Sequence, residues 1–181
     1  MFDKSEYIIE LSKLAKGSGA DNTYEIKVDK SLFDNFIEQG SAESEDIIDV
    51  RADVKLNTVK GSHLIEFNFV FNGEIDVRCS RCLAPMTVKI KNKKTSLYIK
   101  LGEKFEEADI NQWIVDANEN EIDLSNYIYE ELRVEIPIAP VHKRIENCDE
   151  EMLDKLSHVN EESLKDKQEI DPRWEQLKKL L

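Results

Sequence analysis

The chain is poor in the features that mark secreted, membrane-spanning or nucleotide-hydrolysing proteins. Three cysteines in 181 residues are an odd and low number, which argues against a disulfide framework and for a reducing cytosol. No window approaches the roughly 18 consecutive apolar residues that a spanning helix needs, so no membrane association is expected. Met1-Phe2-Asp3-Lys4-Ser5-Glu6 has neither a basic n-region nor an apolar core, and no secretory signal is expected either. With only six glycines there is no phosphate-cradling glycine loop and no GxSxG. His63, His142 and His158 have no evident acid or nucleophile neighbours. The pairs Glu130-Glu131 and Glu161-Glu162 splay apart and read as solvated faces. The sequence therefore predicts a cytoplasmic protein that is not an enzyme and has no small-molecule substrate.

Charge is present in excess, and unevenly. The net charge is −13. Residues 1–75 carry 8 basic against 15 acidic side chains, and residues 101–181 carry 10 against 22. Residues 76–100 reverse the balance, with 7 basic against 1 acidic. Such a chain is repelled from nucleic acid at long range yet can bind it locally through one face. The acidity equally suits a basic partner such as a ribosomal protein, or plain solubility.

Hydrophobic periodicity predicts an α+β fold: a curled antiparallel β-sheet, a barrel-like meander, with two or three packed helices and a mobile acidic C-terminal tail. Ile48, Val50, Ala52, Val54 and Leu56 alternate with polar residues, giving a strand with one buried face. His63 to Phe71 and Glu74 to Cys79 read as two further strands joined by a tight turn at Asn72-Gly73. Met86 to Leu101 follows as a long strand, Tyr24 to Val28 as an edge strand, and Trp113 to Val115 as a short one. Helices are expected at Lys30 to Glu38 and from Leu124 to about Glu135, the latter capped by Asp123. The division is a single domain over residues 1–148, then an acidic linker and docking helix over 149–181. The linker is expected to be mobile to about Glu169. The helix, Pro172 to Leu181, carries Trp174, Leu177, Leu180 and Leu181 on one stripe.

Two features could carry function. Cys79-Ser80-Arg81-Cys82 has the spacing that lets one metal ion take both thiolates. The third cysteine, Cys148, shares a short segment with His142. Cys79, Cys82, His142 and Cys148 would form a closed Cys₃His zinc site, structural and not catalytic. The alternative is an inward-facing Cys79 with two ordinary thiols. A thioredoxin-like role is disfavoured, because Pro85 and the following strand pattern leave no helix N-terminus to activate a thiolate. The second feature is the basic stretch Arg78, Arg81, Lys89, Lys91, Lys93 and Lys94. Lys89, Lys91 and Lys93 alternate and so are expected on one side of a strand, spaced to meet successive RNA phosphates. With Tyr98 as the only aromatic nearby, structured RNA read by its phosphates is favoured over single-strand readout. Lysines guarding an edge strand are the competing explanation.

Several pieces in this order resemble a bacterial family. Cys-Ser-Arg-Cys-Leu-Ala-Pro spans 79–85, Glu-Ile-Asp-Leu 121–124 and Ile-Pro-Ile-Ala-Pro-Val-His 136–142. Cys148 follows, and Asp-Pro-Arg-Trp-Glu-Gln-Leu-Lys-Lys-Leu closes the chain at 171–180. The chain is similar to the YceD family, the large ribosomal RNA subunit accumulation proteins, from about residue 45 onward. The resemblance implies a non-enzymatic ribosome biogenesis factor needed for normal levels of large-subunit rRNA. Its partner would be precursor large-subunit rRNA or, alternatively, a ribosomal protein or assembly factor engaged through the acidic surface and the C-terminal helix. Cys79, Cys82, His142 and Cys148 fall where relatives place cysteine and histidine. Many relatives carry more cysteines in the C-terminal part than the single Cys148 here.

Overall fold

A computed structural model describes residues 2–11, 14, 22–38, 46–60, 64–102, 112–116 and 118–166; the side chains of 60, 101 and 159–166 are not included. The chain divides into two compact units, Met1–Arg78 with Pro85–Ile138, and Cys79–Ala84 with Ala139–Leu181.

The first unit is built on a five-stranded sheet in the order β2-β3-β4-β5-β6: Asn22–Asp29, Ile47–Lys60, Leu64–Arg78, Pro85–Gly102 and Gln112–Asp116. The alternation along β3 and β4 produces the two faces that the period-2 rule requires. Val54, Leu56, Phe67, Phe71 and Ile75 are fully buried, while their neighbours along the strands are wet. Helices α1 (Lys30–Glu38) and α2 (Ser125–Val134) contribute Leu32, Phe33, Ile128 and Leu132 to the same core. Aromatic rings join the layers, with Phe36 stacked on Tyr129 at 4.5 Å and Phe69 against Tyr127 at 4.9 Å. Asp123 accepts the Ser125 N–H at 2.9 Å at the start of α2. A second, two-stranded sheet pairs β1 (Ile8–Glu10) with β7 (Glu121–Asp123), a pairing the sequence pattern did not suggest.

Two expectations are corrected. The sheet is open and not barrel-like, with β2 and β6 at its two edges, and β6 runs parallel to β5, so it is not wholly antiparallel. There is no turn at Asn72-Gly73, since both residues lie inside the continuous strand β4. Gly73 is needed there for close approach: a Cβ on it would sit 2.4 Å from the Arg51 carbonyl oxygen and 2.8 Å from the Ala52 Cβ on β3. Within the segment expected to be an acidic linker lies a helix, α3, over Glu150–Asp166. Asp149 caps it by accepting the Met152 N–H at 2.9 Å, and a Glu151–Lys155 pair spans its first turns. The expected helix at Pro172 to Leu181 lies outside the described residues.

The β4–β5 pairing contains one irregularity with consequences for function. Between Phe71↔Lys93 and Gly73↔Ile90 the register shifts, so that Lys91 and Asn92 together face Asn72. Asn92 takes a positive φ of 47° and donates its N–H to the Asn72 Oδ1 at 2.9 Å. This is a β-bulge with its extra residue in the left-handed region.

Candidate metal centre and basic face

The chain leaves β4 at Arg78 and re-enters the sheet at Pro85, and the six residues between form a tight knuckle. Cys79 N–H donates to the Ala84 carbonyl at 2.9 Å, and Leu83 N–H returns to the Cys79 carbonyl at 2.8 Å. Leu83 accepts a φ of 60° to close this turn. The Ser80 N–H donates to the Pro140 carbonyl at 2.7 Å, which ties the knuckle to the segment bearing His142. A short 3₁₀ turn over Ile145–Asn147 then delivers Cys148, whose N–H bonds the Ile145 carbonyl at 2.9 Å.

These turns bring the four expected ligands together. The Sγ atoms of Cys79, Cys82 and Cys148 and a ring nitrogen of His142 all lie within 4.8 Å of one another. His142 Nδ1 is 3.6 Å from Cys82 Sγ and 3.7 Å from Cys148 Sγ. Zn–S and Zn–N bonds of about 2.3 and 2.0 Å at tetrahedral angles put sulfur and nitrogen about 3.6 Å apart. These two sulfur–nitrogen spacings match that edge, and the donor set suits a metal ion such as zinc. All three thiols are buried.

Electrostatics favour anionic sulfur at the heart of the cluster. Burial alone would push the Cys79 thiol up. The backbone N–H groups of Arg81, His142 and Cys82 outweigh it and bring the thiol down to about 6. Cys148 moves the other way: burial and the neighbouring Cys82 raise it, against an opposing bond from Arg81. Arg81 Nη1 reaches Cys148 Sγ at 3.7 Å.

The expected basic residues separate into distinct environments. Arg78, Lys89, Lys91 and Lys94 are exposed. Lys89 pairs with Glu74 across the strands at 3.1 Å. Lys91 and Lys94 have no ion-pair partner among the described residues. Lys93 does not project beside Lys89 and Lys91, because the bulge turns it to the helix side of the sheet. There its ammonium meets the Glu131 carbonyl oxygen at 2.7 Å and the carboxylates of Glu131 and Glu135 at 2.9 and 3.0 Å. Arg81 is engaged with Cys148. Neither environment was visible in a simple alternation, since one depends on a two-for-one pairing and the other on a contact 67 residues away.

A family profile described as large ribosomal RNA subunit accumulation protein YceD matches residues 67–181. The chain belongs to the YceD family. The matched region contains all four clustered cysteine and histidine residues and all six of the basic residues above. The name of the YceD family ties it to accumulation of large-subunit rRNA. No curated protein and no solved structure matches this YceD chain. Among its described residues no helix is long and apolar enough to cross a membrane.

Proposed function

We propose that this YceD-family protein supports accumulation of large-subunit rRNA by binding the precursor RNA directly, as a cytoplasmic, non-catalytic factor. The observation that carries this reading is the pair Lys91 and Lys94. Both are exposed on the wet side of β5, and neither is neutralised by a partner among the described residues. Within an acidic chain, free ammonium groups on a rigid strand are placed to meet phosphates, and each phosphate neutralised releases condensed counterions. Lys89 adds to the row once Glu74 gives way, whereas Lys93 is committed to holding α2. Zinc held by Cys79, Cys82, His142 and Cys148 would act as a structural cross-link, keeping the thiolates deprotonated and joining the knuckle to the His142–Cys148 segment.

Crosslinking in the cells that make the protein, followed by sequencing of the recovered RNA, tests this. Enrichment over a defined stretch of precursor large-subunit rRNA is the expected result. RNA at background, with a basic ribosomal protein recovered in its place after nuclease treatment, would overturn direct binding and favour an adaptor acting through the acidic surface.

A further inference from the structure

The wet face of the five-stranded sheet carries a row of uncharged polar side chains that charge and alternation do not explain. Register places Thr23 on β2 opposite Asn57 on β3, Asn57 opposite Asn68 on β4, and Asn68 opposite Ser96 on β5. Four consecutive strands thus present hydroxyl, carboxamide, carboxamide and hydroxyl in one line. Asparagine is disfavoured in strands, and here two stand side by side near the middle of the sheet.

Their hydrogen bonds give them a common orientation. Thr23 Oγ1 donates to the Asn57 Oδ1 at 2.8 Å, and Ser96 Oγ donates to the Asn68 Oδ1 at 2.7 Å. Both carboxamide oxygens are therefore occupied, and both NH₂ groups are left as donors on the wet face.

The flanking rows supply the other elements of a nucleotide site. On one side of Ser96 along β5 stands Tyr98, with 38% of its surface exposed. On the other stands Lys94, free of ion-pair partners among the described residues. Asn68, Val70, Lys94, Ser96 and Tyr98 line an open concavity of about 650 Å³. Elsewhere on this face Arg51 is bound to Asp76 at 2.7 Å and Lys89 to Glu74 at 3.1 Å.

We infer that this concavity is a subsite for an unpaired base of single-stranded RNA. Tyr98 stacks on the base, the Asn68 carboxamide donates to carbonyl or ring-nitrogen acceptors on its edge, and Lys94 meets the adjoining phosphate. An exposed ring on a sheet is a sequence-tolerant stacking platform. An aligned NH₂ donor favours acceptor-rich bases such as uracil. The inference rests on the direct RNA binding proposed above and adds what the lysines alone lack, a preference for unpaired RNA over duplex.

Fluorescently labelled oligouridine and an RNA duplex matched in phosphate number, each titrated with the full-length protein at low salt, test it. Oligouridine should bind about tenfold more tightly, the scale of one base–aromatic stack. Tyr98→Ala should erase that preference and Tyr98→Phe should keep it, with melting curves confirming that both variants fold. Lys91→Glu with Lys94→Glu should weaken both probes. Equal affinities, or a preference that survives Tyr98→Ala, would overturn the base subsite. The phosphate reading would still stand if the lysine variant weakened both probes. Failure of both probes to bind would overturn both readings together.

Discussion

His142 Nδ1 lies 3.6 Å from Cys82 Sγ although sixty residues of chain separate them. That distance is the edge expected between two ligands of one tetrahedral zinc ion, and Cys79 and Cys148 complete the set. Three buried thiols and an imidazole converging without a disulfide are otherwise three small apolar side chains. The two accounts differ in what metal does to the thiols.

The purified protein is expected to carry one equivalent of zinc. Chelation should make all three cysteines alkylate rapidly, and added zinc should restore protection, because the thiolates would be the ligands. Alkylation kinetics indifferent to zinc would identify the cysteines as core residues.

Arg81 was expected to face RNA, and its guanidinium instead bonds Cys148. With a dication bound, three thiolates would leave one negative charge for this guanidinium to offset. Arg81→Ala should weaken zinc binding about tenfold, the scale of losing an outer partner of a metal ligand. Competition with a chromophoric chelator measures this. RNA affinity should hold, and a loss of RNA binding at unchanged zinc affinity would return Arg81 to the RNA face.

Lys93 holds α2 through Glu131 and Glu135, so Lys93→Ala should destabilise the protein by about 1–2 kcal/mol in denaturant unfolding. Burial acts to lower the lysine's pKa, and the two carboxylates outweigh it, leaving the pKa raised. The sign follows from linkage: this contribution is fully present below the unfolded lysine value of about 10.4 and is lost as pH rises through the higher folded value. Wild type and Lys93→Ala should therefore converge in stability in strong alkali. A stability gap that stays constant across that range would contradict the ion-pair account.

Gly73→Ala places a Cβ 2.4 Å from the Arg51 carbonyl oxygen, which is backbone and cannot swing away. A loss of about 3 kcal/mol is expected, where glycine in an ordinary strand would gain from the change. A neutral or stabilising effect would mean that β3 and β4 are not so close.

Much of this architecture was legible in the sequence because periodicity reports burial. The alternation at Val50 to Leu56 and the four-residue spacing of Leu124, Ile128 and Leu132 mark residues that are all buried. Asn72-Gly73 misled because the same dipeptide serves a turn or a close approach, and only the neighbouring strand decides between them. The bulge at Asn92 was hidden for the same reason, and with it the inward course of Lys93. The four residues that converge at the knuckle, Cys79, Cys82, His142 and Cys148, could be named from residue type and spacing. Arg81 could not be assigned, since its contact depends on how the Cys148 segment returns to the knuckle. The row from Thr23 to Ser96 exists only in the cross-strand register, which no single strand encodes.

The most direct test of the central claim is the recovery of large-subunit rRNA by in-cell crosslinking with wild type, with Lys91→Glu plus Lys94→Glu, and with Lys93→Ala. Loss of rRNA from the double variant alone, with Lys93→Ala still crosslinking at its reduced stability, is the predicted result. Undiminished rRNA recovery by the double variant would contradict it.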